Sequence, residues 1–99
     1  MIICCIDYTL DPHWLDAFEE YARRWPPIVE RCGGLLIGYF LPKEGANNRA
    51  PALIEFACLA AYEEYRAALA EDPEAKANLD HARRTECILV EDRSLLRRT

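Results

Sequence analysis

Histidines, nucleotide-binding motifs and long apolar segments are scarce or absent in this chain of 99 residues, and each shortage excludes a class of function. The two histidines, His13 and His81, are far apart in the sequence, whereas a metal site requires several converging ligands. There is no Gly-x-x-x-x-Gly-Lys, Gly-x-Ser-x-Gly or dinucleotide-binding motif. No apolar run approaches the roughly 20 residues needed to span a bilayer. The sequence therefore predicts no metal, no nucleotide cofactor and no membrane span.

Basic residues are in the minority, with 12 Lys and Arg against 17 Asp and Glu and a net charge of -5. Because nucleic-acid binders carry basic faces, this balance predicts no nucleic-acid partner. Hydrophobic residues make up 52% of the chain and charged residues 29%, which is typical of a folded globular protein. The length suits one domain spanning residues 1–99.

The five cysteines form no Cys-x-x-Cys pair, and their number is odd. All except Cys32 lie in apolar runs typical of strands, so buried, reduced thiols are expected. Cys32 lies at a predicted helix end, where we expect it to serve as a small apolar residue. No basic segment precedes the first strand, which argues against a signal peptide. A cytoplasmic location is therefore expected.

The segment 33–42 predicts a strand that is buried on both faces. Two glycines precede it, a proline ends it, and it is apolar on both alternating faces: Leu35, Ile37, Tyr39 and Leu41 on one, Leu36 and Phe40 on the other. Such a strand is expected to be covered on both sides. Helices of a short chain can cover one side only, so we expect a symmetric homodimer whose paired sheets enclose a cavity.

The remaining pattern predicts five further elements, of which the second helix is in two pieces. Residues 2–10 alternate as a strand, and Asp11-Pro12 then begins an amphipathic helix. The Pro26-Pro27 pair is expected to interrupt this helix, with a short turn following as far as Cys32. After a polar loop come a strand over 52–59, a helix to about residue 71, a second helical piece from Asp72-Pro73, and a strand over 85–90 that could continue to Arg93. The β-α-β-β-α-β order predicts a ferredoxin-like α+β sandwich.

A small group of polar residues is expected to face the cavity. Asp7, Tyr39, Glu55 and Arg66 would lie among apolar residues that include Trp25, with Asn47 and Asn48 at the mouth. A carboxylate in apolar surroundings has a raised pKa, which would suit Glu55 or Asp7 as a general base. Each residue also has a structural interpretation: Glu55 could pair with an arginine, Tyr39 could simply pack, and the asparagines could serve the turn.

Two longer segments carry a family resemblance. Residues 33–48 (GGLLIGYFLPKEGANN) and 59–73 (LAAYEEYRAALAEDP) resemble the NIPSNAP family, as do the ends YTLDP at 8–12 and RSLL at 93–96. The resemblance implies a dimeric α+β barrel. It assigns no catalytic motif, but the wider barrel superfamily includes cofactor-free monooxygenases, isomerases and haem degraders.

Haem use is not expected. Haem degraders of that superfamily use an asparagine on the first strand with a tryptophan and a histidine on the second helical region. The comparable positions here hold Asp7, Tyr62 or Tyr65, and His81, so two of the three residue types differ. The sequence therefore predicts no cofactor.

Two hypotheses of function follow. In the first, the protein is a small dimeric enzyme or carrier for a hydrophobic or aromatic small molecule, with a cofactor-free monooxygenase as the most specific form. In the second, it is a non-catalytic dimeric interaction module, because no catalytic motif is present.

Overall fold

The computed structural model describes all residues, 1–99, and places its elements in the order that the sequence predicts. Four strands, β1 (Ile2–Leu10), β2 (Leu35–Tyr39), β3 (Arg49–Phe56) and β4 (Ile88–Arg97), form one antiparallel sheet in the order β2-β3-β1-β4. Three helices, α1 (Leu15–Arg31), α2 (Leu59–Glu71) and α3 (Pro73–Thr85), accompany it, and a 3₁₀ turn (Pro12–Trp14) precedes α1. This topology confirms the ferredoxin-like α+β fold, with α2 and α3 as the two helical pieces.

The core lies between the sheet and the helices. In the central strand β1, alternate residues Cys4, Ile6, Tyr8 and Leu10 are buried, because their side chains point to the face that the helices cover. The helix α1 contributes the largest share of the opposing layer, including Phe18, Tyr21, Trp25, Ile28 and Val29. The other sheet face, called the open face below, has no helix over it. None of the helices combines the length and the apolar character required to cross a membrane.

The helix α1 runs through Pro26 and Pro27, so the predicted interruption at this pair is wrong. A proline has no N–H group, and two of the helical hydrogen bonds are therefore missing here. The helix continues because Trp25, Ile28 and Val29 on either side of the pair are buried in the core, while both prolines are exposed. Tertiary packing outweighs the local preference of the proline pair.

The strand β2 contains an irregularity that changes which residues share a face. Its pairing with β3 shifts register between Leu36 and Gly38, so Ile37 is an extra residue. Leu36 opposes Ile54, and Tyr39 opposes Ala52, both of which are buried under the helices. Tyr39 therefore lies on the helix side with Leu36, not with Leu35 and Ile37 as the alternation predicts.

Two further details differ from the prediction. The last strand begins at Ile88 and extends to Arg97, because Thr85 still belongs to α3 and the register with β1 continues to the pair Ile2–Arg97. Cys58 is exposed at the start of α2, not buried in a strand. The other thiols are buried, as Cys4 and Cys87 are, or half-buried, as Cys5 and Cys32 are.

Candidate functional site

A cavity of about 350 Å³ lies between the sheet and the helices. It lies beneath α2, which supplies Tyr65, Arg66, Leu69 and Ala70 to the lining and of whose 13 residues only Tyr65 is buried. The cavity lining, mostly apolar or aromatic, comes from every strand and every helix: Ile6, Tyr8, Tyr21, Trp25, Tyr39, Ile54, Tyr65, Arg66, Leu69, Ala70, Lys76, Leu79, Glu91 and Arg93. We call it the helix–sheet cavity.

The inner wall of the helix–sheet cavity is aromatic. The rings of Tyr8 and Tyr39 stack with centroids 6.1 Å apart, and their hydroxyl oxygens are 3.4 Å apart. Tyr21 packs edge-on against Trp25 at 5.6 Å. Burial raises the pKa of Tyr8 and Tyr39 far above the ordinary value and raises the pKa of Tyr21 to about 12. These phenols are therefore neutral at physiological pH and can donate hydrogen bonds.

Trp25 adds an unsatisfied donor to this wall. Its side chain is 5% exposed, and its Nε1 atom makes no hydrogen bond of normal geometry, although it lies close enough to the Tyr21 hydroxyl to oppose part of the rise in the pKa of that hydroxyl. Most buried polar atoms in proteins are paired, because an unpaired buried donor costs free energy. A bound molecule that carries an acceptor could satisfy this donor.

The rim of the helix–sheet cavity is charged. Arg66, Lys76 and Glu91 are exposed, and Arg93 is half-buried. Arg93 donates from Nη2 to the Glu91 carboxylate at 3.1 Å and from Nη1 to the thiol of Cys4 at 3.6 Å. Glu91 is the one carboxylate in the lining, so any acid–base chemistry by a carboxylate inside this cavity would fall to it.

Three of the seven predicted site residues line this cavity, which is not the cavity between paired sheets in which they were expected. Tyr39, Trp25 and Arg66 meet there, although they come from β2, α1 and α2. Glu55 and Asp7 lie on the open face, since they alternate with Ile54 and with Ile6 and Tyr8, which face the helices. Glu55 is 3.9 Å from Arg98 Nη1, and Asp7 is exposed. The two predicted bases are thus separated from the cavity by the sheet.

The two asparagines lie outside the cavity lining. Asn47 is exposed in the β2–β3 loop, and Asn48 is half-buried at its end. The main-chain oxygen of Asn48 accepts a hydrogen bond of 2.7 Å from the N–H of Leu10. This main-chain hydrogen bond of Asn48 therefore holds the loop against β1.

The residues considered for metal or haem do not converge. His13 is exposed in the 3₁₀ turn. His81 belongs to α3 and packs against α1, where its Nε2 is 2.9 Å from the main-chain oxygen of Ala17. Tyr65 lines the cavity, while Tyr62 packs edge-on against Phe56. No group of three His, Cys, Asp or Glu side chains in the chain is arranged to hold a metal ion.

Cys32 is in surroundings that disfavour a thiolate. Burial and the neighbouring Asp72 carboxylate raise the pKa of its thiol. The Asp72 side chain also accepts two hydrogen bonds from Arg31, at 2.8 and 2.7 Å, and caps α3 through the N–H groups of Glu74 and Ala75. This cluster ties the end of α1 to the start of α3.

Sequence reasoning did not identify several cavity residues, notably Tyr8, Tyr21, Lys76, Glu91 and Arg93. In the sequence the two tyrosines belong to the apolar patterns of β1 and α1. Such patterns predict which residues lie in the core, but not where the core contains a cavity. Glu91 and Arg93 are two positions apart and therefore share a face of β4. That signal is readable from the sequence if the last strand continues to Arg93, as the pattern allows.

Comparison with protein-family models identifies the family of this chain, because the NIPSNAP family model matches residues 4–99. The chain belongs to the NIPSNAP family. A search of curated proteins finds no significant sequence match.

Solved structures agree with this family assignment. The chain resembles a NIPSNAP family protein of unknown function from Agrobacterium tumefaciens, with a TM-score of 0.85 and 24% identity over 100% of this chain and 88% of that one. It also resembles an uncharacterised NIPSNAP domain protein from Burkholderia xenovorans, with a TM-score of 0.82 and 16% identity over 100% and 95% of the two chains.

The same fold occurs beyond the family. A protein from Nitrosomonas europaea, provisionally named an antibiotic biosynthesis monooxygenase, has a TM-score of 0.77 and 9% identity, with 99% of this chain and 98% of that chain covered. At this identity the likeness concerns the fold alone. The NIPSNAP chain therefore shares its architecture with proteins named as oxygenases, while its own chemistry depends on its own residues.

Proposed function

We propose that this NIPSNAP protein binds a hydrophobic small molecule in the helix–sheet cavity. The observation that carries the proposal is the cavity itself: about 350 Å³, lined mainly by apolar and aromatic side chains, with an unpaired donor on Trp25. Pockets for small molecules are typically concave, mostly apolar and supplied with a few polar groups. Tyr39, Trp25 and Arg66 would be ligand-contacting residues.

A cofactor-free monooxygenase is the most specific form of this proposal. A base would remove a proton from an activated CH₂ group of the substrate, and the resulting carbanion would transfer electrons to O₂. One oxygen atom would remain on the carbon as a carbonyl, and the other would leave as water. The neutral phenols of Tyr8 and Tyr39 could stabilise negative charge on the substrate oxygen by donating hydrogen bonds.

Three carboxylates compete for the role of base. Glu91 is the one that lines the cavity, while Glu55 and Asp7, the residues favoured by the sequence, lie on the open face. A substrate in the helix–sheet cavity favours Glu91. Glu55 or Asp7 would act only on a substrate held at the open face, which in a paired assembly would be enclosed by a second sheet.

A homodimer remains part of the proposal. The open face carries apolar side chains from β2, β3 and β4, including Leu35, which is 60% exposed, Leu96, which is 52% exposed, and the half-buried Leu53. Contiguous apolar patches on soluble monomers are usually small and often mark interaction sites. Face-to-face pairing of two sheets would cover this patch.

The same open face supports a second candidate function, the non-catalytic interaction module. In that case the apolar patch would bind a different protein, and the helix–sheet cavity would be a packing defect without a ligand. The two functions differ in which side of the sheet makes the relevant contact.

Native mass spectrometry of the freshly purified protein tests both proposals, because it reports assembly and retained small molecules together. We expect a dimer with a reproducible added mass. The variant Ala70→Phe should lose that mass, because Ala70 lines the cavity and a phenyl group there would take up part of the space that the ligand needs. Ala68→Phe, an equally exposed change on the same helix outside the lining, should keep it.

A ligand that survives in Ala70→Phe would contradict cavity binding, and a dimer that retains no compound would favour the interaction module. Once the retained compound is identified, O₂ uptake in its presence tests the oxygenase form. Glu91→Gln should abolish uptake, whereas Glu55→Gln and Asp7→Asn should not. Loss of uptake in Glu55→Gln alone would locate the base on the open face.

A further inference from the structure

The charges around the helix–sheet cavity are opposite to the balance of the whole chain. The protein has a net charge of -5, with 17 Asp and Glu against 12 Lys and Arg. The cavity lining nevertheless contains three cationic residues, Arg66, Lys76 and Arg93, and one anionic residue, Glu91. An acidic protein thus presents a cationic surface at one place.

Two of these cations are unpaired. Arg93 has Glu91 as its partner at 3.1 Å, so that pair is locally neutral. Arg66 and Lys76 form no salt bridge in the structure, as is also true of cations outside the lining such as Lys43 and Arg83. They come from different helices, α2 and α3, yet they line the same cavity.

The cavity has an apolar inner end and a charged outer end. The residues Tyr8, Tyr21, Trp25 and Ile54 are each 5% exposed or less, whereas Arg66 and Lys76 are exposed. A ligand that matches this arrangement has a flat apolar body that packs against the aromatic wall. It also has an anionic group that reaches the two cations, where a charge-assisted hydrogen bond can form.

We propose that the ligand of the helix–sheet cavity is an aromatic anion, with a carboxylate, sulfonate or phenolate group held by Arg66 and Lys76. This inference rests on the proposed binding function and specifies the chemical class of its ligand. The unpaired Nε1 of Trp25 would favour compounds that also carry a hydrogen-bond acceptor on the aromatic body.

Two fluorescent probes that differ by one charged group test the inference. The first is 1-anilinonaphthalene-8-sulfonate, and the second is N-phenyl-1-naphthylamine, which is the same body without the sulfonate. We expect the wild-type protein to bind the anion more tightly. The double variant Arg66→Gln/Lys76→Gln should weaken anion binding about tenfold and leave binding of the neutral probe within about twofold. Raising the NaCl concentration should also weaken binding of the anionic probe but not of the neutral probe.

A matched control keeps the change in net charge constant. The double variant Lys43→Gln/Arg83→Gln removes two exposed cations that lie outside the lining and form no salt bridge, and both probes should bind it as they bind the wild type. If the two double variants weaken binding of the anionic probe equally, the effect comes from net charge, and the inference is wrong.

Failure of the inference and failure of the proposed function give different results. If both probes bind the wild type with equal affinity and Ala70→Phe excludes both, the cavity binds small molecules but does not select anions. If neither probe binds, or if both bind Ala70→Phe as well as Ala68→Phe, the cavity is not a binding site, and the proposed function fails with the inference.

Discussion

The hydroxyl oxygens of Tyr8 and Tyr39 lie 3.4 Å apart, although the residues belong to strands that are not neighbours in the sheet. The strand β3 runs between them, and it places Ala50 opposite Tyr8 and Ala52 opposite Tyr39. Because both intervening side chains are methyl groups, the two rings can approach each other across β3. The aromatic wall therefore depends on two alanines as much as on the tyrosines.

This relationship predicts coupled effects of removing the two hydroxyl groups. Tyr39→Phe or Tyr8→Phe alone should lower the free energy of unfolding by about 1 kcal/mol, because the remaining buried hydroxyl loses its partner. The double variant should cost less than the sum of the single variants, since no unpaired hydroxyl remains. Urea unfolding of the four proteins measures this, and strictly additive losses would show that the hydroxyls do not interact.

The two glycines before β2 should respond differently to alanine. A Cβ at Gly34 would lie 3.0 Å from Ile54 and from Val29, so Gly34→Ala should overpack the core and cost about 1–3 kcal/mol. Gly33 has open space around it but a φ of 106°, so Gly33→Ala should cost about 1 kcal/mol through backbone strain. Thermal unfolding ranks the two, and a larger loss at Gly33 would contradict this packing.

Asp72 should make the stability depend on pH in the acid range. The hydrogen bond from Arg31, followed by the N–H groups at the start of α3, lowers the pKa of this carboxyl well below its ordinary value of 3.8. Its contribution is therefore fully present above that value and is lost as the pH falls towards the folded-state pKa. Asp72→Asn keeps a capping side chain but removes the charge.

We expect Asp72→Asn to be less stable than the wild type at neutral pH, and the difference should shrink between about pH 5 and pH 2. Asp80→Asn is a suitable control, because it removes a carboxylate from the exposed pair with Arg84 on the same helix. Urea midpoints across this pH range measure the effect. A constant difference between Asp72→Asn and the wild type would show that the carboxyl titrates normally in the folded state.

The open face predicts a change of assembly on adding charge. Leu53→Lys places an ammonium group in the middle of the apolar patch and should convert the expected dimer to a monomer without unfolding the chain. Leu59→Lys, at an exposed position at the start of α2, should leave the dimer intact. Sedimentation equilibrium at micromolar concentration distinguishes the two, and a wild-type monomer would remove the basis for a homodimer.

Local chemistry made much of the fold predictable. Asp11 and Asp72 each precede a proline and cap a helical start as expected, and Gly33 ends the helical region with a positive φ. Alternation in β1 also predicted the buried set that begins at Cys4. These signals are readable because each depends on a few adjacent residues.

The rest depends on distant partners. The extra residue Ile37 arises from the pairing of β2 with β3, which no hydrophobic pattern specifies, and it moves Tyr39 to the helix side. The Pro26-Pro27 pair stays helical because of the core beneath it. Tyr39, Trp25 and Arg66 do meet, but in a gap under α2 on the helix side of the sheet, whereas the sequence placed them in a cavity between two paired sheets.

That gap has a consequence for the order in which the molecule opens. The helix α2 buries Tyr65 and packs Ala61, Tyr62 and Leu69 only in part, so it should detach at a lower cost than α1, which buries six residues. A ligand could then enter the helix–sheet cavity beneath α2 while the sheet, α1 and α3 stay packed together. The helix α2 would then be both the route by which a ligand enters the helix–sheet cavity and the element that a bound ligand rigidifies most.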